Sequence, residues 1–433
     1  MKFVVSSLFA LTILAVPFPA EAMVRPVFIS TVVAPNTTAA RWLPFEFALG
    51  AFAAQTTEAN AATPAAINGS VANLRVVLTT APGAGTSYAF AFYVAGADTA
   101  LTCTISDAAT SCNDTTHTGS FSAGDLISWH ITPTGTPAAT TIRMSATLEG
   151  DTAGETMISG ATRANESTTN YYGPFGGNER TTEAGASVLF PTNGTIDRLY
   201  ARITNTASGG DYILTFNENG SASALAATIP NGSAAVASDV TDSITITTGD
   251  LGSVTYSMTG TPLARGARWS MRWRPTIDGE FPLMISGNAV VSSAATRYQE
   301  LQGTYTNNAT EVNTQFLSPI AFTLKKANWT IEPEPGVGNT WDFKSRINGA
   351  DGTLAGQLTS GNTNVVDNTN SDPIAVGDLI NWTTIPVSSP TSPTKIMFSA
   401  VAYIAPPATV NYGQPRFLNL GTMILNAGKL IFQ

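Results

Sequence analysis

Histidine, the side chain that most often moves protons near neutral pH, occurs twice in 433 residues, as His117 and His130. Ser-His-Asp or Cys-His catalysis needs one of them beside a nucleophile and an acid, and the sequence contains no Gly-x-Ser-x-Gly elbow. Glu58 and Asp125 have the side-chain types for paired acid–base work on a glycoside. Each belongs to a set of three, however: Glu58, Glu183 and Glu311 lie 67 residues before Asp125, Asp250 and Asp378. A turn that makes a fold must recur in every repeat, whereas a catalytic pair has no such need. These six are therefore read as repeat-defining structural residues, and the chain is read as a non-enzyme without a cofactor.

Cys103 and Cys112, nine residues apart around a Ser/Asp/Asn-rich turn, predict one hairpin disulfide. Two cysteines and a distant histidine do not make a zinc set, so no metal site is assigned. Asp367, Asn370 and Asp372 form an oxygen-rich loop that is the one calcium candidate, without a close copy in the other repeats.

Two stretches suit partner binding. In Arg265–Arg274 a strand sets Trp269, Met271 and Trp273 on one face and Arg268, Arg272 and Arg274 on the other. The arginine row suits an acidic protein neighbour, a phosphate or an anionic glycan. Tyr171 and Tyr172 precede Gly-Pro-Phe in a loop-like run and suit a sugar, as do Trp42, Trp341 and Trp382. Trp129 and Trp382 share one repeat position, which favours core for that pair.

The elements that carry these residues come in three copies. Gly-Asp-Leu recurs at 124–126, 249–251 and 377–379, with periods of 125 and 128. Turn glycines Gly96, Gly220 and Gly349 keep the same frame, and Met-Ile-Ser-Gly recurs at 157–160 and 284–287. The boundaries this implies are repeat 1 at 23–156, repeat 2 at 157–283 and repeat 3 at 284–433, the last with a closing or donor strand. Each Met-Ile-Ser-Gly junction is read as a strand that closes one repeat and leads into the next, as in a row or stiff rod. Period-two runs such as Tyr88, Phe90 and Phe92, punctuated by Ala-Pro-Gly and Asn-Gly turns, predict an all-β chain. The fold class is three tandem antiparallel β-sandwiches, jelly-roll-like or immunoglobulin-like.

Composition bounds the rest. Charged residues make up 12% of the chain, against roughly 25% in ordinary globular proteins, and the net charge is −9. Low charge with many hydroxyls and amides suits extracellular or capsid-like β proteins, and the acidic balance argues against nucleic acid as a partner. Residues 1–22 read as a signal peptide: Lys2, an apolar run from Phe3 to Val16, and Ala20-Glu21-Ala22 as the cleavage motif. The run is too short to span a bilayer, and no later segment is long and apolar enough to do so.

The succession of strand, Ala-Pro-Gly turn, aromatic strand, Asn-Gly hairpin and Gly-Asp-Leu strand resembles tandem β-repeats of bacterial surface proteins and tailed-phage virion proteins. The resemblance covers most of residues 41–404 and implies architecture, not site residues. The leading expectation is a structural subunit of an extracellular or virion assembly, a homo-oligomer or polymer joined through strand edges or the apolar termini Val24–Val33 and Phe417–Phe432. The alternatives are a secreted adhesin that binds glycan and, last, an exported glycoside-active hydrolase.

Overall fold

Alternation along the strands sets the layers. On the strand Ala97–Asp107, Leu101, Cys103 and Ile105 are buried while Thr102 and Thr104 between them are exposed. The computed structural model describes residues 22–31, 35–46, 48–49, 54–162, 165–233, 236–287, 291–304, 308–406, 424–426 and 429–431.

The first repeat contains β1 (Ala22–Thr31), β2 (Arg41–Pro44), β3 (Ala48–Leu49), helix α1 (Glu58–Ala61), β4 (Thr63–Pro64), β5 (Gly69–Leu78), β6 (Gly83–Val94), β7 (Ala97–Asp107), β8 (Ser111–Phe121), β9 (Leu126–Thr134) and β10 (Ile142–Ala153). The second follows with β11 (Thr156–Ala161), β12 (Asn170–Gly173), β13 (Gly176–Arg180), α2 (Glu183–Ala186), β14 (Val188–Leu189), β15 (Gly194–Ile203), β16 (Tyr212–Glu218), β17 (Ser221–Ile229), β18 (Val236–Ile246), β19 (Leu251–Met258) and β20 (Ala267–Pro275). The third has β21 (Glu280–Gly287), β22 (Arg297–Gln299), β23 (Gly303–Thr304), a 3₁₀ turn (Glu311–Asn313), β24 (Phe316–Leu317), β25 (Phe322–Glu332), β26 (Thr340–Ile347), β27 (Ala350–Thr359), β28 (Asn364–Ile374), β29 (Leu379–Val387) and β30 (Lys395–Tyr403). A short hairpin, β31 (Ile424–Asn426) with β32 (Lys429–Ile431), lies beyond them.

In the first repeat one sheet runs β1-β10-β5-β8 and the other β2-β9-β6-β7, with β3 and β4 as short additions. Counting only the eight long strands, that is order 1-8-3-6 facing 2-7-4-5, the order of a jelly roll made of two interleaved Greek keys. The second and third repeats have the same order, as β11-β20-β15-β18 with β12-β19-β16-β17, and β21-β30-β25-β28 with β22-β29-β26-β27. Of the two sandwich types the sequence left open, the pairing is the jelly roll.

The Met-Ile-Ser-Gly junctions differ from expectation. β11 pairs with β20 and β21 with β30, so each junction strand opens the repeat that follows it and does not close the one before. Glu280–Leu283 already pair with Tyr403–Ala400, which puts the break between repeats 2 and 3 after Pro275, upstream of 283/284. Val24–Thr31 is paired along β10 of its own repeat and is not an open donor. Val32, Val33 and most of Phe417–Phe432 lie outside the described residues, as does the signal-peptide segment up to Glu21.

Cys103 on β7 and Cys112 on β8 are joined, but these strands are edge members of opposite sheets, so the disulfide crosses the sandwich corner and not a hairpin ladder. The same corner carries a feature present in all three repeats. On the strand facing β8, β18 or β28 the ladder register shifts around a residue of positive φ: Asn73, Arg198 and Lys326. Opposite it stands an aspartate, Asp114, Asp239 or Asp367, in the 125 and 128 frame. Its carboxylate accepts the amide hydrogens of residues two and three ahead and one more from the neighbouring edge strand, at Thr102, Ala226 or Ala355. Asp367 is thus the third copy of a repeated bulge, so the calcium candidate, expected to have no close copy, has counterparts at Asp114 and Asp239. Asp372 turns elsewhere, to Ser345, Thr353 and Leu354, so Asp367 and Asp372 serve different backbone stretches.

Burial would raise these carboxyls, but the hydrogen bonds outweigh it and hold Asp114 and Asp367 down to about 2, with Asp239 lowered too. A folded-state value below the unfolded one (about 3.9) means stability that is present above that pH and lost as pH falls toward about 2. Replacing all three by Asn removes that contribution and should move the acid midpoint followed by far-UV circular dichroism to higher pH; single Asp→Ala changes should each cost about 1–3 kcal/mol in denaturant titrations.

Candidate functional site: the contacts between repeats

The segment joining the two sheets of each repeat, with its short helix and short strand, reaches onto the last strand of another repeat. β4 of the first repeat packs on β20 of the second, β14 of the second on β30 of the third, and β24 of the third on β10 of the first. The third contact closes the series. The three jelly rolls form a ring with threefold-like contacts, and the expected row or rod is corrected.

Two of these contacts use the same chemistry. Arg268 Nη2 donates to the Asn60 carbonyl (2.6 Å) and Ser270 Oγ to the Pro64 carbonyl (2.5 Å). At the closing contact Arg143 donates to the Asn313 carbonyl and Ser145 Oγ to the Leu317 carbonyl (2.5 Å). In this Arg-x-Ser of the final strand the arginine thus caps a carbonyl near the end of the helical turn that starts with Glu58 or Glu311, and the serine bonds the last carbonyl of the short strand that follows, β4 or β24. At the contact between repeats 2 and 3 the arginine position holds Met397. There Glu280, fully buried, accepts from Thr192 of repeat 2 and from Lys325 and Lys326 of repeat 3. Burial would raise the Glu280 carboxyl, but Lys326, Thr192 and Lys325 hold it below the usual range.

Of the arginine row, Arg268 meets the neighbouring first repeat, whereas Arg272 and Arg274 bond Asp197 of their own repeat, and Arg272 also bonds Glu155 in the linker before it. Arg268 is 3% exposed, and burial followed by the nearby Arg202 pulls it down to about 9. Arg272 binds Glu155 and Asp197, at 2.8 and 2.6 Å, and Arg274 binds Asp197 at 2.7 Å. Of the three, Arg274 keeps a substantially exposed side chain. Arg268 and Arg272 are corrected from partner-facing to structural.

Where the ring closes, Arg25 and Glu46 form a bidentate pair (2.5 and 2.8 Å) that is fully withdrawn from water. Arg25 also donates to Thr156 Oγ1 and the Met157 carbonyl of repeat 2 and lies 4.2 Å from the Phe281 ring centroid of repeat 3. Glu46 accepts from Ser159 of repeat 2 and Gln302 of repeat 3. Phe28 packs on Phe316, centroids 5.1 Å apart, joining repeat 1 to the apolar core that repeats 2 and 3 share. Glu300, 1% exposed, is pushed up to about 7 by burial, which Arg143 and Ser30 only partly oppose.

The remaining predicted residues divide. Asp125, Asp250 and Asp378 each accept the amide hydrogen three residues back, and Asp250 and Asp378 are clasped by the hairpin asparagines Asn219 and Asn348. In repeat 1 Ala95 replaces that asparagine. Glu58 and Glu183 open α1 and α2, and Glu311 opens the 3₁₀ turn and pairs with Arg346 at 2.9 Å. Burial raises the Glu58 carboxyl, against the pull of Arg202 across the repeat boundary. Tyr172 and Trp341 are fully buried and Trp382 nearly so, which removes them as sugar contacts. Tyr171 is half-buried on β12, which is a strand and not the loop expected.

Trp42 keeps partial exposure. It stacks on His130 (4.7 Å, 9° between planes), with Tyr93 edge-on to both and Asp98 on His130 Nδ1 at 2.8 Å. The other histidine, His117, is bonded to Asp114 at 3.0 Å. Among the described residues no group of three or more His, Cys, Asp or Glu side chains is arranged to hold a metal ion. No protein-family model matches the chain, and no curated protein matches it.

Sequence reasoning missed Arg143, Ser145 and Ser270, Arg25 with Glu46, and Glu280. The first three had a signal in Arg143-Met-Ser145 and Arg268-Trp-Ser270, set 125 apart. Arg268→Ala should leave the Asn60 carbonyl uncapped in a dry contact and cost about 1.5–3 kcal/mol, with Arg268→Lys recovering only part, as read by chemical denaturation. A folded value near 7 for Glu300 means stability present below its unfolded value and lost as pH rises through about 7. Glu300→Gln should therefore raise the melting temperature at pH 8 and leave it unchanged at pH 4.

Proposed function

We propose that this protein is a non-catalytic structural subunit of an assembly outside the cell or in a virion, and that its ring of three jelly rolls is the tile. The closing contact between repeats 3 and 1 is the observation that carries this reading. Head-to-tail interfaces make a ring when the rotation closes and a filament when it does not. Here covalent linkage and closure together give one chain the geometry of a trimeric building block. Jelly rolls recur in capsids and lectins, and by fold-level analogy that favours an assembly role.

The outer corners bear on how tiles would meet. Their edge strands are blunted by the aspartate bulges, whose carboxylates already occupy amide hydrogens that a foreign strand would need. Contacts between tiles would then use loops and faces in preference to added strands. Purified, exported protein should give ordered arrays or closed particles in electron microscopy, with light scattering that depends on concentration. A species that stays monomeric at every concentration and salt condition would overturn the proposal.

A second reading has its own observation in the Trp42–His130–Tyr93–Asp98 cluster. An accessible aromatic with a carboxylate and an imidazole beside it suits a sugar ring. Saturable binding on a glycan array, lost in Trp42→Ala with the melting temperature kept, would favour an adhesin.

A further inference from the structure

The repeats are joined by two linkers, between Ala153 and Thr156 and between Pro275 and Glu280. In a threefold-like ring a third linker would run from Tyr403, where β30 ends, to Ala22, where β1 begins. The chain has none there. Instead Ala22, Met23 and Val24 on one side and Ile404, Ala405 and Pro406 on the other line a single cleft of about 440 Å³. The Ile404 amide donates to the Gly279 carbonyl at 3.0 Å, which ties the end of β30 to the linker before β21. Among the described residues, the charged ones lining the cleft are both carboxylates, Glu149 on β10 and Asp278 in that linker.

We propose that this cleft seats a mature amino terminus, the α-ammonium of Met23, made by cleavage of the Ala22–Met23 bond; the inference rests on the export reading above. Hydrolysis adds one water: Ala22 leaves as the carboxylate end of the released segment, and the Met23 nitrogen becomes an ammonium at neutral pH. Ala20-Glu21-Ala22 supplies the small residues a signal peptidase requires just before this bond.

Three observations favour the seat. The Met23 side chain is 3% exposed and belongs to the shared core, and Arg25 two residues on is fully buried, so the nitrogen is held in place. Met23 falls in the irregular step between the Ala22–Ala153 and Val24–Glu149 pairs and has no register partner on β10, so cleavage before it removes from the register only the Ala22–Ala153 pair at the tip of β1. Finally, an ammonium supplies a positive charge that Glu149 and Asp278 do not find among the described residues lining the cleft. Because Ala22 is paired within β1 in the folded chain, cleavage precedes folding, as it does during export.

Facing carboxylates raise an ammonium's pKa. The stabilisation is therefore full below the unfolded value of about 8 and is lost as pH rises through the higher folded value. Among the described residues, the charged groups that share the cleft with Met23 are Glu149 on β10 and Asp278 in the linker; Ile320 and Ile404–Pro406 bring no charge.

The test has two arms. Residues 1–433 are expressed in an exporting bacterial host and the purified protein weighed intact; a chain starting at Met23 is expected. Any other start overturns the cleavage site, and a start at Met1 also overturns the export reading. Independently of export, the 23–433 chain is released from a tag with a free Met23 and compared with one that keeps Gly-Ser ahead of Met23. The free terminus should melt about 2–4 °C higher at pH 7. That difference should vanish at pH 10 and in the Glu149→Gln/Asp278→Asn double variant. Equal melting temperatures at pH 7 overturn the ammonium's role and leave the export reading standing.

Discussion

The ring depends on one dry ion pair. Arg25 and Glu46 are both withdrawn from water, where the desolvation of each charge costs several kcal/mol and is offset only when the remaining hydrogen-bonding groups are also satisfied. Repeat 1 by itself does not satisfy them. Thr156, the Met157 carbonyl and Ser159 come from the second repeat, and Gln302 comes from the third. The pair is therefore tolerable in the closed ring and costly in any state that opens it. Breaking one repeat away would leave this pair, whose two members both belong to repeat 1, without the partners that repeats 2 and 3 supply, which couples the three jelly rolls beyond their linkers.

Around that knot the interfaces are repeated and then varied. Arg143 with Ser145 and Arg268 with Ser270 cap the same two carbonyls in two of the three contacts. The third substitutes Met397 and relies on Glu280 held by Thr192 and two lysines. A homotrimer could not differ in this way, because each subunit would have to carry both surfaces. A single chain can, and the differences fix which repeat neighbours which. The threefold character is also broken where the third linker is missing, and both ends of the ringed chain meet there.

Several features are legible in the sequence. The Gly-Asp-Leu aspartates and the Asn-Gly hairpins are local: each carboxylate bonds to an amide three residues away, so their spacing carries both the repeat length and the turn. Period-two burial along β7 or β26 is legible for the same reason, since a strand's faces alternate whatever surrounds it. The bulge aspartates Asp114, Asp239 and Asp367 are equally periodic, but Asp is common in turns, and the third copy taken alone resembles a calcium loop. Tyr172 and Trp341 were misplaced because a burial pattern does not say whether an aromatic near a turn points in or out.

What the sequence determined by itself was the unit: three copies of one antiparallel sandwich, fixed by turn chemistry and alternation, which act over a few residues. Tertiary structure alone decided that the unit is a jelly roll, that a junction strand belongs to the repeat after it, and that the chain closes on itself. Those outcomes rest on pairings such as Arg143 with Asn313 and Glu46 with Gln302, between residues 170 and 256 positions apart. A side chain's type gives its capacity to bond. Which distant group satisfies it is set by where the whole fold can exclude water.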